Sequence, residues 1–261
     1  RVPHERLMLK LYQYGVDGKT ARWIKAFLSK RTQSVVVNGQ SSAPQPVTSG
    51  VPQGSVLGPL LFLIFINDIS QDLQSDIRLF ADDSILYRQI KSNEDHIIMQ
   101  DDLSKLLSWS KTWQMDFNVS KCAIMTVTHK RTPSIFNYAM DNQAVPRIGP
   151  DESADYLGVS INSKLTWNNH CTKVSSKASQ TLGMLRRNIS SCPTSVKAQA
   201  YQTLVRPKLE YASSAWSPHT NKDSKRIEAV QNAAARFCTR DYQRTSSCLL
   251  YTSPSPRDYG T

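Results

Sequence analysis

The segment RLFADDSILY, Arg78 to Tyr87, sets two aspartates side by side in the middle of an otherwise apolar run. Adjacent carboxylates repel each other, and burying either one unpaired is costly. A chain can accommodate Asp82 and Asp83 here only on an exposed turn or against a cation. The short apolar arms on either side predict a β-hairpin whose tip carries the carboxylates.

Charge is segregated along the rest of the chain. From Asn67 to Asp116 there are ten acids against five bases, a net of −5, whereas His170 to Arg240 holds twelve bases against three acids, a net of +9. An acidic centre beside a basic module points to a metal-dependent site next to a polyanion surface, with a solvated basic helical face as the alternative. At 261 residues, 39% hydrophobic and 20% charged, the chain reads as globular, with room for one large domain or two smaller ones. The cysteines, Cys122, Cys171, Cys192, Cys238 and Cys248, lack metal-ligand spacing and read as reduced thiols without a zinc site. No signal peptide is visible, and the longest apolar run, Leu60 to Ile66, is too short to span a bilayer. The chain starts at Arg1 without a methionine, which reads as a fragment. The tail CLLYTSPSPRD breaks the preceding composition and resembles a translated sequencing-library adaptor, so residues 248–261 are set aside as an artefact.

Apolar spacing predicts helices over Glu5–Tyr14 (Leu7, Leu11, Tyr14) and Thr20–Ser29 (Trp23, Ile24, Phe27, Leu28), separated by GVDGK. TQSVVVNG predicts a short strand ending in an Asn-Gly turn, and SSAPQPVTSGVPQGS a loop. Pro59 suits the first turn of a buried helix through GPLLFLIFINDI. Asn93–Trp113 predicts an amphipathic helix, MDFNVSKCAIMTVTHK and DYLGVSIN a strand each, and the stretch from His170 to Thr239 helices, with Thr194 or Ser195 as a cap and Pro207 as a kink or stop. Helix, strand, buried helix, carboxylate hairpin, helix, strand approximates a split βαβ arrangement with one strand missing at the front.

The pairing of SGVPQGSVLGPLLFLIFINDI with the F-A-D-D box, Gln53 standing 29 residues before Asp82, closely resembles the reverse transcriptases of non-LTR (LINE-type) retrotransposons. The resemblance covers roughly Arg1 to Ser247. It implies an α+β fold: a polymerase palm with a split βαβ-like antiparallel sheet and packed helices over residues 1–168, then a mostly helical thumb over residues 169–247. It further implies RNA-directed DNA polymerisation with two Mg²⁺ ions (Mn²⁺ as a substitute), an RNA template, a DNA primer or target DNA, and dNTPs. Residence in nucleus and cytoplasm, with no membrane partner, goes with the same resemblance. Hard oxygen ligands suit Mg²⁺, which explains why carboxylates belong at such a site.

Residue by residue, Asp82 matches the direct metal ligand and Asp83 its neighbour supporting metal binding or primer positioning. Pro52, Gln53 and Gly54 match the segment beneath the incoming nucleotide and templating base, or form an ordinary Pro-Gly turn. Phe80 and Ala81 match the floor at the primer terminus, although Phe80 also suits a core. Lys121 matches a lysine that protonates departing pyrophosphate, or is a solvated strand end. Leu157 and Gly158 match a primer grip, with strand packing as an equal reading. Lys173, Lys177, Arg186, Arg187 and Lys197 match bases that track a nucleic-acid backbone. The family's first catalytic carboxylate lies in a strand just upstream of the RVPH with which this chain starts. Neither nearby acid is a convincing substitute: Glu5 sits too close to the helix start, and Asp68 belongs behind the PQG helix. A decayed, non-enzymatic remnant with general nucleic-acid binding is therefore the second reading.

Overall fold

A computed structural model describes residues 2–240 of the chain, so Cys248 and the 248–261 tail lie outside the described residues. The chain divides into two compact units, residues 1–123 with 134–146, and residues 124–133 with 147 onward.

In the first unit, helical spacing puts Leu7, Met8 and Leu11 on the buried side of α1 (His4–Gln13) and Ala21, Ile24 and Leu28 on that of α2 (Gly18–Leu28). Tyr14 and Trp23, both on the apolar pattern, are exposed instead. Two short hairpins follow: β1 (Thr32–Gln33) pairs with β4 (Gln45–Pro46), and β2 (Val36–Val37) with β3 (Gln40–Ser41). The strand expected through TQSVVVNG is thus split. At Val35 the ladder is replaced by Ser42, whose Oγ accepts the Val35 amide (3.0 Å) while its own amide donates to the Val35 carbonyl (2.9 Å). The Asn-Gly turn does form, with φ of +50° at Asn38 and +79° at Gly39.

Helix α3 (Leu57–Ile66) buries Leu61, Phe65 and Ile66, whereas Leu60 and Leu63 are each 52% exposed. The helix expected to be buried is therefore covered on one face only. Antiparallel β5 (Asp76–Phe80) and β6 (Asp83–Tyr87) form the expected hairpin, and α4 (Asn93–Trp113) starts and stops where its sequence pattern does. Residues from Met115 onward depart from the expected strand: Val119–Lys121 is a turn of 3₁₀ helix, and Ile124 makes one isolated bridge to Arg147. Strand geometry persists only where a partner completes its ladder, and here single backbone bonds, Thr128 to the Ser163 carbonyl and Ile148 to that of Ile124, do not build one. The unit closes with β7 (Ala139–Met140) against β8 (Gln143–Ala144).

The second unit opens with β9 (Ser153–Tyr156) and β10 (Val159–Asn162). DYLGVSIN is therefore the middle of a hairpin rather than one strand, because Leu157 and Gly158 take φ of +47° and +80° and reverse the chain. Five helices follow: α5 (Asn168–Asn188), α6 (Thr194–Ala200), α7 (Arg206–Glu210), α8 (Ser213–Trp216) and α9 (Asn221–Thr239). Pro193, not Thr194 or Ser195, is the N-cap of α6, and no side chain caps it. A π-helical stretch, Tyr201–Val205, joins α6 to α7 just before Pro207. Proline offers no amide to the preceding turn, and the extra residue absorbs that gap without ending the helix. Thr172 accepts from Arg226, the Ala233 carbonyl from Arg186, and the Ser190 carbonyl from Arg240. These links ascend together in both helices, so α5 and α9 run parallel, enclosing Ala178, Leu182, Leu185, Val230, Ala234 and Phe237.

The α+β class holds. All five ladders among the described residues are two-stranded and antiparallel. The multi-stranded split βαβ sheet is not assembled, because no described segment supplies a third strand to the β5–β6 edges.

Candidate active site and nucleic-acid surface

Register fixes what the β5–β6 hairpin presents. Ile77 opposes Leu86 and Leu79 opposes Ser84, while Arg78 opposes Ile85 and Phe80 opposes Asp83. Directly opposed residues share a face. Ile77, Leu79 and Leu86 pack on the core of Ile66, Ile69 and Leu106, leaving Phe80 (61% exposed) and Asp83 on the other side. The two-residue connection is Ala81 and Asp82, with Ala81 at φ +51°. A left-handed alanine costs about 1–2 kcal/mol, a strain of the kind that gathers at functional tips. Both carboxylates are exposed, and neither makes a hydrogen bond or ion pair among the described residues. The repulsion posed by the sequence is relieved by solvent, and the tip is open to a cation.

The base of the hairpin is clamped to α4 by two other carboxylates. Arg88, one residue past β6, donates to Asp95 (2.9 Å) and to the Gln74 carbonyl (3.0 Å), closing the hairpin's two ends together. Asp95 also accepts the amides of Lys91 (2.8 Å) and Ser92 (3.0 Å) in a capping box that starts α4. Asp102, fully buried, accepts the amides of Gln74 (3.1 Å) and Ser75 (2.7 Å). Backbone hydrogen bonds from Lys91 and Ser92, aided by Arg88, hold the Asp95 carboxyl down at about 2, against an ordinary 3.8. Burial pushes Asp102 up, but the hydrogen bonds from Ser75 and Gln74 outweigh it and leave the carboxyl low.

Folded-state values below the unfolded ones mean that both clamps stabilise the fold above about pH 4 and lose that contribution as pH falls toward 2. The stability difference between wild type and Asp95→Asn, from urea unfolding, is therefore expected to be present at pH 6 and to shrink at pH 2.5. A difference that stays constant across that range would mean that Asp95 carries no such clamp.

Pro52, Gln53 and Gly54 form a turn at the entry to α3. Gly54 adopts φ +79° with open space around its Cα, so backbone conformation is what selects glycine there. Ser55 Oγ donates to the Pro52 carbonyl (2.7 Å) and accepts the Gly58 amide (3.1 Å). A Cβ on Gly58 would stand 2.6 Å from the Pro52 carbonyl oxygen. Ser55 and Gly58, neither singled out from sequence, lock the turn onto the helix. The turn sits at one end of α3 and the hairpin packs on Ile66 and Ile69 at the other, about 15 Å away by helix rise. No hydrogen bond among the described residues joins the two. Lys121 is exposed on the 3₁₀ turn, whose Val119 and Cys122 pack on the same core as the hairpin arms.

In the second unit Leu157 and Gly158 form the tip of the β9–β10 hairpin. Tyr211, another residue the sequence did not flag, donates to the Leu157 carbonyl (3.1 Å) and would lie 3.1 Å from a Cβ on Gly158.

Many of the basic side chains are already engaged. Lys173 pairs with Asp155, Arg206 with Glu210, and Arg226 with Asp223, while Lys208, Arg186 and Arg240 hydrogen-bond within the unit. Lys197, expected on the phosphate-facing surface, is instead 1% exposed, with its ammonium 5.1 Å from the Phe237 ring centre. It packs its stem between α6 and α9 and leaves the candidate surface. Lys177 and Arg187 on α5, and Lys222, Lys225 and Arg236 on α9, remain exposed without a partner among the described residues.

Residues 1–161 match the family model described as reverse transcriptase (RNA-dependent DNA polymerase). The chain belongs to the reverse transcriptase family. Within it, the chain is similar to non-LTR retrotransposon proteins of Drosophila melanogaster. It is 30% identical over 250 residues to the "Probable RNA-directed DNA polymerase from transposon X-element", covering 92% of this chain and 27% of that protein. It is 27% identical over 241 residues to the "RNA-directed DNA polymerase from mobile element jockey", covering 85% of this chain and 26% of that protein. The chain thus spans about a quarter of the length of the curated relatives it matches.

For a reverse transcriptase, the donor chemistry at the hairpin tip is suitable but partial. Asp82 and Asp83 are hard oxygen donors without protein partners, while no group of three His, Cys, Asp or Glu gathers as a metal set among the described residues. Asp68, which the sequence placed behind the α3 helix, is indeed consumed there by an ion pair with Lys10. No helix among the described residues is long and apolar enough to cross a membrane.

The exposed bases set a testable affinity law for duplex binding. If Lys177, Arg187, Lys222, Lys225 and Arg236 each contact one phosphate, the log–log salt slope on B-DNA is expected to be about −4 to −5. Titrations between low and moderate salt are expected to return that slope for the chain. Charge removal at Lys177 and Arg187 together lowers it by about 2, whereas Lys197→Met leaves it unchanged. A slope altered by Lys197→Met and unmoved by the other pair would overturn this assignment.

Proposed function

We propose that this chain is the palm-and-thumb portion of an RNA-directed DNA polymerase that extends a DNA primer on a retrotransposon RNA template. In the reaction the primer 3′ oxygen attacks the α-phosphorus of a dNTP, an O–P bond forms, and the bond to pyrophosphate breaks. Asp82 and Asp83 would hold Mg²⁺, which supplies charge stabilisation on the nucleotide phosphates when bound. Gln53 and Gly54 would support the nascent base pair, and Phe80 and Ala81 would floor the primer end. Lys121 would give its proton to the departing pyrophosphate, and Leu157 and Gly158 would hold the primer strand. The bases left exposed on α5 and α9 would follow the duplex backbone as a thumb within residues 169–247.

The observation that carries this reading is the hairpin tip. In a reverse-transcriptase chain, two adjacent carboxylates without protein partners stand at a strained connection whose base is clamped to α4. The test is primer extension by the chain lengthened upstream in its own reading frame. Extension that depends on a divalent cation and falls by about 10³-fold or more in Asp82→Ala, the scale of losing one preorganised electrostatic group, is expected. Extension that survives Asp82→Ala sinks the assignment. The second reading, a non-enzymatic remnant that binds nucleic acid, is favoured by the lack of a third metal-binding carboxylate among the described residues. It predicts binding with no extension in the lengthened chain.

A further inference from the structure

Helix α2 faces outward with a surface that the polymerase reading does not use. Its inward side is Ala21, Ile24 and Leu28, all buried. Helical spacing therefore turns Lys19, Arg22, Trp23 and Ala26 away from the core. Trp23 is 57% exposed, although its indole is among the most apolar side chains available for burial. Its ring stacks on Phe27 one turn later, with centroids 5.7 Å apart and planes 9° from parallel. Phe27 is only partly buried, so the pair forms a flat aromatic step resting on the core on one side and open to solvent on the other.

The charge around this step is of one sign. From Gly18 to Asn67 the chain has five bases, Lys19, Arg22, Lys25, Lys30 and Arg31, and no acid; the nearest in sequence are Asp17, at the N-cap of α2, and Asp68, paired with Lys10. All five bases are exposed. Arg22 bonds weakly to the Gly18 carbonyl of its own helix (3.3 Å), and none of the five forms an ion pair among the described residues. Of the five tryptophans in the chain, Trp23 is the exposed one: Trp109, Trp113 and Trp167 are half-buried and Trp216 is buried.

We propose that the outward face of α2 binds single-stranded nucleic acid, a base stacking on Trp23 while Lys19, Arg22, Lys25 and Lys30 hold the flanking phosphates. An aromatic platform bordered by cations is what a single strand requires, since unpaired bases offer π-faces that a duplex conceals, and stacking tolerates any base. The surface is built from residues that belong neither to the hairpin tip nor to α5 and α9. It would engage a strand that is not the primer duplex, and it does not depend on polymerase activity.

The test uses the full chain and a 12-nucleotide oligo-dT. Oligo-dT is expected to quench a tryptophan signal that is present in wild type and missing in Trp23→Phe. Affinity is expected to fall about tenfold or more in Trp23→Ala/Phe27→Leu, within the range for losing one stacked base. Lys19→Glu/Arg22→Glu is expected to weaken binding and flatten its salt dependence. Lys177→Glu/Arg187→Glu is expected to preserve the Trp23 quench, which separates this face from the duplex surface. Circular dichroism identical to wild type establishes that these substitutions leave the fold intact. Equal oligo-dT affinity in wild type and Trp23→Ala/Phe27→Leu overturns the proposal. So does a Trp23 signal that responds to anionic phospholipid vesicles but not to oligo-dT, which would assign the face to a membrane surface.

Discussion

Asp68→Ala is expected to destabilise the first unit by about 3–5 kcal/mol, the cost of stranding one member of a buried ion pair. Lys10 is entirely enclosed: its ammonium is bonded to Asp68 and to the Phe65 carbonyl, and lies 4.8, 4.7 and 3.9 Å from the ring centres of Phe65, Trp109 and Trp113. Asp68 in turn accepts the Trp109 indole N–H at 3.0 Å. Burial already lowers the Lys10 ammonium from its ordinary value, and the hydrogen bond and charge of Asp68 are what oppose that shift. Without Asp68 the amine must lose its proton or draw water into the core of α1 and α3. The melting midpoint of the first unit is then expected to drop by roughly 10 °C, followed through the fluorescence of the adjacent Trp109 and Trp113. Removing both charges, as Lys10→Met/Asp68→Leu, is expected to cost less than Asp68→Ala alone, because no charge is left to desolvate. If the double change costs as much as the sum of the single ones, the pair does not act as a unit.

The second large effect concerns chemistry. Purified residues 1–261 are expected to show no template-dependent primer extension, at least about 10³-fold below the lengthened chain, because under the proposed assignment only the adjacent pair Asp82 and Asp83 would be available to hold the metal. Asp82 and Asp83 lie next to each other on one tip, and no third acid joins them among the described residues. Asp68, Asp95 and Asp102 are committed elsewhere: Asp68 to Lys10, Asp95 to Arg88, and Asp102 to Lys105 and the Gln74–Ser75 amides. Extension by residues 1–261 that is abolished by Asp82→Ala would show that this chain completes the site from its own residues.

Much of the local architecture could be read directly from the residues. Helix α4 matches its amphipathic pattern from Asn93 to Trp113 because Ser92 and Asp95 begin it with reciprocal hydrogen bonds and Gln114 ends it in a left-handed conformation. The carboxylate hairpin was legible from its two apolar arms. Its sharpest feature was not, since nothing in F-A-D-D signals that Ala81 takes a positive φ. Burial of charged residues was hidden for a related reason. Lys10 and Lys197 look like surface lysines until tertiary packing brings aromatic rings against their stems. Trp23 misled in the opposite direction, an apolar position at helical spacing that faces outward. The expected strand after Met115 failed because sequence can mark extended chain but cannot supply the partner that makes it a strand.

The lock between Pro52, Ser55 and Gly58 bears on which length variants of this chain can survive. Between Ser42 and Gln45 the backbone is exposed and bridges small hairpins, so an extra residue there only lengthens a surface loop. From Pro52 to Gly58 each residue is counted. One insertion would move the Ser55 hydroxyl off the Gly58 amide, and would either drive a side chain into the Pro52 carbonyl or rotate α3 by about 100°. Such a rotation would exchange Leu61 and Phe65 for the exposed Leu60 and Leu63 and undo the packing around Lys10. Insertions and deletions should therefore collect in the arm before Pro52 and be absent between it and Gly58, a stretch expected to keep its register together with Gly54, Ser55 and Gly58.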